Sequence, residues 1–170
     1  MTTTLERAPE SETTVEQLLG TVGETMTNDV VLLSADMPAE RAVRRLEYKA
    51  VSGAPVVDRG RVVGVVTRGD LLVPTLLDDP AGSPDGLLPA HGRRLAGLKV
   101  RDLMSDEPVT VQPDWSLVRA VRSMVDNGVN RVPVVDQNGI PLGILTRDDL
   151  LHAVVRRARP RPGSAVLSDS

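Results

Sequence analysis

The sequence of 170 residues contains no cysteine and no phenylalanine, and Tyr48 and Trp115 are its only aromatic residues. The absence of cysteine excludes disulfides, thiolate metal sites and cysteine nucleophiles, and the two histidines, His91 and His152, are too few to favour a histidine-rich metal centre. A nucleic-acid site built on stacked aromatic rings also lacks its material. Any planar ligand must therefore be held by aliphatic walls.

The sequence also has little that would direct the chain to a membrane or to nucleic acid. No apolar run comes near the length of about 20 residues that a membrane-spanning helix needs, and residues 1–6 lack the basic and apolar regions of a signal peptide. The net charge is −3 at pH 7, and the arginines of residues 156–161 are interpreted as a solvated helix end and tail. We expect a cytoplasmic protein that has neither a membrane nor nucleic acid as its partner.

What the sequence does contain is an internal duplication, in which residues 22–72 and 100–151 are two copies of one unit. A shift of 78 residues, which becomes 79 after a turn that is one residue longer in the second copy, aligns the two copies. Over the 50 aligned positions 20 are identical, whereas residue frequencies alone would give about three. A unit of about 50 residues is too small for a sound core, so the two copies are expected to pack into one domain.

The first half of each copy is predicted to be a buried strand followed by an amphipathic helix. The predicted strands are residues 30–33 and 109–111. Apolar residues at helical spacing then define one helix face, with Asp36 and Asp114 as the predicted N-caps. Gly128 is predicted to end the helix of the second copy, whereas the first copy has Ala50 there and a less definite end.

The second half of each copy is predicted to be a strand hairpin followed by a closing helix. Two short apolar strands flank a glycine-containing turn in each copy. The predicted strands are residues 54–58 and 62–67 in the first copy, and residues 132–136 and 142–146 in the second. The closing helices are predicted to begin at Thr67 and at Thr146, and Pro74 should cut or kink the first of them.

These elements predict an α+β fold similar to an α/β sandwich, in which two β-α-β-β-α repeats pack sheet to sheet as one pseudo-twofold module. Between the repeats, residues 80–86 are predicted to form a loop and residues 87–100 to hold a short helix. The predicted divisions are a loose N-terminal segment at 1–18, the first repeat at 19–73, a linker at 74–99, the second repeat at 100–157 and a loose tail at 158–170.

The strongest local signal is the motif G-x-x-T-R-x-D, found at residues 64–70 and again at 143–149. Thr-x-x-Asp directly before an apolar helix is typical of an N-terminal cap, in which the hydroxyl and the carboxylate accept from backbone N–H groups. Taken alone, either copy of the motif indicates a cap. The arginine, however, lies in the first helical turn, where the helix dipole disfavours a cation. A phosphate held by N–H groups, the threonine hydroxyl and the arginine would remove this mismatch.

Two further positions of the motif suit a nucleotide. The aspartate three residues after the threonine suits the paired hydroxyls of a ribose, as acidic residues do in other nucleotide sites. Gly64 and Gly143, three residues before the threonine, would let a ligand approach the strand backbone closely.

The ordered combination of these segments, present twice, resembles a tandem pair of cystathionine-β-synthase (CBS) domains, often called a Bateman module. The resemblance covers nearly all of residues 22–151 and is specific because three kinds of segment recur in the same order. They are V-G-E-T-M at 22–26 and V-R-D-L-M at 100–104, V-S-G-A-P-V-V-D at 51–58 and V-N-R-V-P-V-V-D at 129–136, and the two G-x-x-T-R-x-D motifs. A stand-alone CBS-domain protein is implied.

The resemblance implies that adenosine-containing ligands, such as AMP, ADP, ATP, S-adenosylmethionine or NAD, bind in clefts between the two copies. In the family the motif threonine contacts phosphate, the aspartate holds the ribose, and residues around the middle strand enclose the adenine. The implied residues are Thr67 and Thr146 for phosphate, with Arg68 and Arg147 as its further partners, Asp70 and Asp149 for ribose, and Ala54, Pro55, Val132 and Pro133 for the base. Thr27-Asn28 and Ser105-Asp106 are additional lining candidates.

The second motif is expected to hold a ligand first. The first motif has Gly69 where the second has Asp148, and Pro74 interrupts the helix that follows it. The phosphate seat of the second copy should therefore be the better formed of the two.

These observations support two functions. The first is a non-catalytic regulatory module that binds an adenosine-containing ligand, requires no cofactor and signals to a separate, unidentified regulated protein. The second is a ligand-free structural or interaction protein that acts through dimerisation and whose motifs only cap helices. An enzyme is not expected, because the sequence lacks a Ser-His-Asp order, a P-loop lysine and a metal-ligand cluster. The resemblance also implies a homodimer.

Overall fold

The computed structural model describes residues 19–76 and 95–158. The predicted N-terminal segment, the predicted loop at 80–86, His91 and all but the first residue of the predicted tail lie outside the described residues. Among the helices in the two described ranges, none is long and apolar enough to cross a membrane.

The helices and the hairpin strands follow the predicted order in both copies, whereas a 3₁₀ turn and a short strand at the start of the second copy were not predicted. In the first copy they are β1 (Leu33–Ser34), α1 (Ala39–Tyr48), β2 (Gly53–Asp58), β3 (Arg61–Thr67) and α2 (Arg68–Leu76). In the second copy they are a 3₁₀ turn (Val100–Asp102), β4 (Ser105–Asp106), α3 (Leu117–Asp126), β5 (Arg131–Val135), β6 (Pro141–Thr146) and α4 (Arg147–Ala158). The α+β class and the two-repeat organisation are therefore confirmed, but the predicted first strands are short, and in the second copy only one bridge, between Val111 and Val134, remains of that strand.

Each of the two sheets pairs with a segment from the opposite copy. Strand β4 of the second copy pairs antiparallel with β3 of the first, which completes a sheet of order β1-β2-β3-β4. Thr27 of the first copy correspondingly forms an antiparallel bridge with Ile144 in β6 of the second copy. The repeats thus exchange the segments that follow their first methionines.

Equivalent backbone hydrogen bonds also join the start of each copy to the opposite copy. The N–H of Val22 donates to the carbonyl of Trp115 at 2.9 Å, and the N–H of Val100 donates to the carbonyl of Met37 at 2.9 Å. Both valines are fully buried, each in the core of the opposite copy. Neither core is therefore complete within one repeat.

The first helices bury the apolar faces that their spacing predicts. The fully or almost fully buried residues are Ala39, Ala42 and Leu46 in α1 and Leu117, Ala120 and Met124 in α3. The predicted N-caps, in contrast, are wrong. Helix α3 begins after Ser116, whose Oγ accepts from the N–H of Arg119 at 3.2 Å, and α1 begins after Pro38, which has no side-chain acceptor.

Asp36 instead joins the linker to the first copy. Its Oδ1 lies 3.0 Å from Nζ of Lys99 and 3.0 Å from a guanidinium nitrogen of Arg101. The hydrogen bond from Lys99 and the charges of both cations lower the pKa of the Asp36 carboxyl. The residue therefore serves the contact between copies rather than the start of a helix.

The helix ends differ from the predictions in two places. Gly128 has a φ of +63° just after α3, as expected, and Ala50 takes the same left-handed conformation after α1 with a φ of +53°. The first helix therefore ends as definitely as the second, at a steric cost of about 1 kcal/mol for the alanine Cβ. Helix α2 passes through Pro74 and continues to Leu76, so the proline does not end the helix.

The motif glycines face the exchanged segments. A Cβ at Gly64 would stand 2.5 Å from Sδ of Met104 and 2.8 Å from the carbonyl oxygen of Ser105, and Gly143 has equivalent neighbours in Met26 and Thr27. The opposite copy therefore fills the space beside both glycines. The prediction that these glycines admit a ligand is wrong, since they admit the crossing backbone instead.

Substituting Gly64 tests this explanation of the exchange. Gly64→Ala should lower the free energy of unfolding by about 1–3 kcal/mol, because the added methyl meets a paired backbone carbonyl that has little room to move. Urea denaturation of the full chain measures the change. Gly69→Ala is the control, because its Cβ would lie 3.4 Å from Oγ1 of Thr67, an ordinary contact. An equal effect of both substitutions would contradict the explanation.

Candidate functional site

Two clefts lie between the copies, one beside each motif. Cleft A has a volume of about 340 Å³ and is lined by Val65, Thr67 and Asp70 of the first copy and by residues 105–109 and 128–131 of the second. Cleft B has a volume of about 240 Å³ and is lined by Thr27, Asp29, Val30, Val31, residues 50–53 and Arg131, together with Ile144, Thr146, Asp148 and Asp149.

The two clefts are equivalent under the repeat. Each one combines the motif of one copy, the exchanged segment of the other copy, and the loop between that other copy's first helix and middle strand. The shift of 78 residues converts residues 128–131 of cleft A into residues 50–53 of cleft B. The pseudo-twofold relation predicted for the fold thus extends to the lining of the clefts.

The threonine and aspartate of each motif bind each other. Oδ2 of Asp70 accepts from the backbone N–H of Thr67 at 2.7 Å and from its hydroxyl at 2.8 Å, while the N–H of Asp70 donates to Oγ1 of Thr67 at 3.3 Å. Thr146 and Asp149 make the same three bonds at 2.8, 2.6 and 3.3 Å. Both motifs therefore cap helices, as Thr-x-x-Asp predicts.

The same four side chains also line the clefts. Thr67 and Asp70 lie at the wall of cleft A, and Thr146 and Asp149 at that of cleft B. In cleft B, Oδ1 of Asp149 additionally accepts from the hydroxyl of Thr27 at 3.0 Å. The caps consequently place one carboxylate at the wall of each cleft. The hydroxyl of Thr27, from the exchanged segment, lies beside the carboxylate of Asp149.

The motif arginines do not line either cleft. Arg68 is exposed, and its Nη2 lies 3.4 Å from the carbonyl oxygen of Leu46 near the end of helix α1. A cation is favoured there, because the C-terminal end of a helix carries a partial negative charge. Arg147 is also exposed and is absent from the lining of cleft B. Neither arginine is therefore part of the lining of the clefts, and their contact with a phosphate stays a prediction.

The four residues implied for the base lie inside the sheets. Ala54 and Val132 are 1% and 0% exposed and belong to the two cores, and Pro55 and Pro133 are buried beside them. The cleft walls come instead from the residues just before these strands, at 50–53 and 128–131. None of these four residues is part of the lining of either cleft, and their role toward the base stays a prediction.

The additional lining candidates are placed largely as expected. Thr27, Ser105 and Asp106 line the clefts, whereas Asn28 is not part of the lining. His152 lies outside clefts A and B, in a hollow of about 430 Å³ that it shares with Thr25 and Asp149.

Arg131 is a cleft residue that was not among the predicted site residues. It is half-buried at the start of β5, lines both clefts, and donates from Nη2 to Oγ of Ser52 at 2.8 Å. Burial lowers the pKa of its guanidinium, and the carboxylates of Asp148 and Asp70 oppose that shift. The sequence did contain a signal for this residue, because the second copy has Arg131 where the aligned loop of the first copy has Gly53.

The lining of both clefts is rich in carboxylates. Cleft A has Asp70, Asp106 and Glu107, and cleft B has Asp29, Asp148 and Asp149. Even so, the described part of the chain contains no group of three His, Cys, Asp or Glu residues arranged to hold a metal ion. The arrangement offers hydrogen-bond acceptors for hydroxyl groups, aliphatic walls, and a guanidinium for an anion.

Comparison with known proteins identifies the family of this arrangement. The CBS domain family model matches residues 22–73 and 100–156. The CBS domain-containing protein YhcV of Bacillus subtilis is 30% identical over 152 residues, which cover 89% of this chain and 96% of that protein. The protein MK0525 of Methanopyrus kandleri is 31% identical over 132 residues, or 77% of this chain, but the match spans only 61% of its own length.

A solved structure extends the comparison to three dimensions. CBSX2 of Arabidopsis thaliana, crystallised in complex with AMP, is 30% identical with a TM-score of 0.66, covering 82% of this chain and 98% of that chain. The two matched regions and the shared α+β fold lead to one conclusion. The chain belongs to the CBS-domain family and carries a tandem pair of CBS domains.

Proposed function

We propose that the chain is a non-catalytic regulatory module that binds an adenosine-containing ligand between its two repeats and signals to a separate protein. AMP, ADP, ATP, S-adenosylmethionine and NAD are the ligands considered. The observation that carries the proposal is the pair of equivalent clefts, each with a motif carboxylate at its wall. The AMP complex of the similar protein CBSX2 supports adenosine as the common element.

The clefts suggest how such a ligand is held. The carboxylates of Asp70 and Asp149 accept from the ribose hydroxyls, and in cleft B the ribose replaces the hydroxyl of Thr27 on Asp149. Val51 and Val129, from equivalent loops, provide aliphatic contacts for the base. Arg131 provides a charged hydrogen-bond donor for a phosphate.

Signalling follows from the composition of each cleft. Because the walls come from both repeats, a bound ligand touches both and stabilises one relative arrangement of them. A partner that binds this arrangement better than the alternatives senses the ligand. The proposal requires binding alone and no catalytic step.

Calorimetric titration of the full chain with AMP tests the proposal. Binding is expected, and Asp149→Ala should weaken it by about 1–3 kcal/mol, because the ribose loses a charged acceptor. Asp149 also caps helix α4, so the control is Ser116→Ala, which removes a cap at α3 away from both clefts. The control should leave the affinity for AMP unchanged. The absence of heat with all five ligands would exclude the proposal.

A second candidate is a ligand-free interaction protein whose motifs are only caps. It is favoured by the fact that Thr67 and Thr146 each already bond to the aspartate three residues on. Under this alternative the motif contributes to stability alone, and dimerisation is the function.

Thermal melting distinguishes the two candidates. Thr146→Ala should lower the free energy of unfolding by about 1 kcal/mol under both, since a helix cap is lost. Saturating AMP should raise the melting temperature of the unmodified chain only if the chain binds it. We expect a rise, and a melting temperature that is independent of AMP would favour the second candidate.

We also propose that the chain is a homodimer formed through the helices of the second repeat. Helices α3 and α4 expose several large apolar side chains, of which Val125 is 70% and Leu151 is 60% exposed. Val154 and Val155 lie exposed on the same helix as Leu151. Burying this surface against a second copy removes apolar area from water.

Sedimentation velocity tests the homodimer. The unmodified chain should sediment as a dimer, and the double change Val125→Gln with Leu151→Gln should shift it towards monomer, because the buried surface loses apolar contacts. Ile140→Gln is a matched control, since Ile140 is similarly exposed but lies in the turn before β6. A monomer at high concentration of the unmodified chain would contradict the proposal.

A further inference from the structure

Arg131 lies between the two clefts and belongs to the lining of both. Among the described residues that line either cleft it is the only cation. Its side chain extends from the second repeat to the loop of the first, where Nη2 bonds to Oγ of Ser52 at 2.8 Å. The guanidinium of Arg131 is therefore shared by cleft A and cleft B.

The repeat cannot supply a second cation at the equivalent position. Gly53 is the counterpart of Arg131, and a Cβ there would lie 2.7 Å from the carbonyl oxygen of Val66 and 2.9 Å from Nη1 of Arg131 itself. A second arginine side chain would clash with the sheet and with the first arginine. The fold thus has room for one cation between the clefts.

The charges around Arg131 are balanced between the two clefts. Asp70 belongs to cleft A and Asp148 to cleft B, and both carboxylates act on the guanidinium against the effect of its burial on its pKa. Each cleft otherwise presents carboxylates, three in each lining. A phosphate group entering either cleft would meet a net negative wall unless Arg131 turned to it.

We propose that Arg131 couples the two clefts, so that a phosphate-bearing ligand in one cleft weakens the binding of a phosphate-bearing ligand in the other. The proposal rests on the adenosine-binding function proposed above. The first phosphate pairs with the guanidinium, and the second ligand then faces carboxylates without a cation. Because coupling is reciprocal, the order of filling does not matter. An uncharged adenosine needs no cation and binds at the two clefts without this penalty.

Titrations of the full chain with AMP and with adenosine test the coupling. The second AMP should bind about 5- to 150-fold more weakly than the first, and the two adenosine sites should differ by less than the two AMP sites. Adenosine is the internal reference, because it reports any difference between the clefts that does not arise from charge.

Arg131→Met decides whether the arginine is responsible. This variant keeps an unbranched side chain without charge, so it should lose the tight AMP site and keep adenosine binding, which also shows that the variant is folded. Arg131→Lys should retain unequal AMP sites, since it keeps the charge. Arg59→Met, at the turn between β2 and β3 and away from both clefts, should leave AMP binding unchanged.

The outcomes separate the two proposals. Equal AMP sites in the unmodified chain, or unequal sites that persist in Arg131→Met, would overturn the coupling and leave the adenosine-binding function intact. If neither adenosine nor any of the five ligands named above bound, that function and the coupling would be overturned together.

Discussion

The exchange of segments between the repeats is the constraint on which the rest of the structure depends. Strand β4 can pair with β3 only because Gly64 leaves room for Met104 and for the carbonyl of Ser105, and Gly143 plays the same part for Met26. Each core then takes buried residues from both repeats. A repeat without its partner would lack one sheet edge and part of its core, so the pair is the folding unit.

The clefts are a direct consequence of this exchange. The crossing segment lies beside the last strand of the opposite copy, and that strand ends at the motif threonine that begins the following helix. The cap bonds between Thr146 and Asp149 hold a carboxylate at that junction. Structural and binding roles of the motif are therefore compatible, because one carboxylate oxygen supports the helix and the other faces Thr27.

The repeats are nearly symmetric in backbone and differ where charge matters. Ala50 takes the same left-handed conformation as Gly128, so the helix ends match despite the different residues. Gly53 and Arg131, in contrast, differ in charge, and among the described residues that line the two acidic clefts Arg131 is the one cation. Symmetric geometry with asymmetric charge gives the two clefts a means of affecting each other.

The sequence by itself determined the duplication, the order of elements, the helix faces and the caps at Thr67 and Thr146, because these depend on local spacing and short-range hydrogen bonds. Only the tertiary structure decided that Gly64 faces a methionine of the other copy, that Arg68 bonds to helix α1 and that Arg131 joins both clefts. The physical reason is that these contacts link residues distant in the chain. Periodicity reports which side of an element is apolar, but not which repeat covers it.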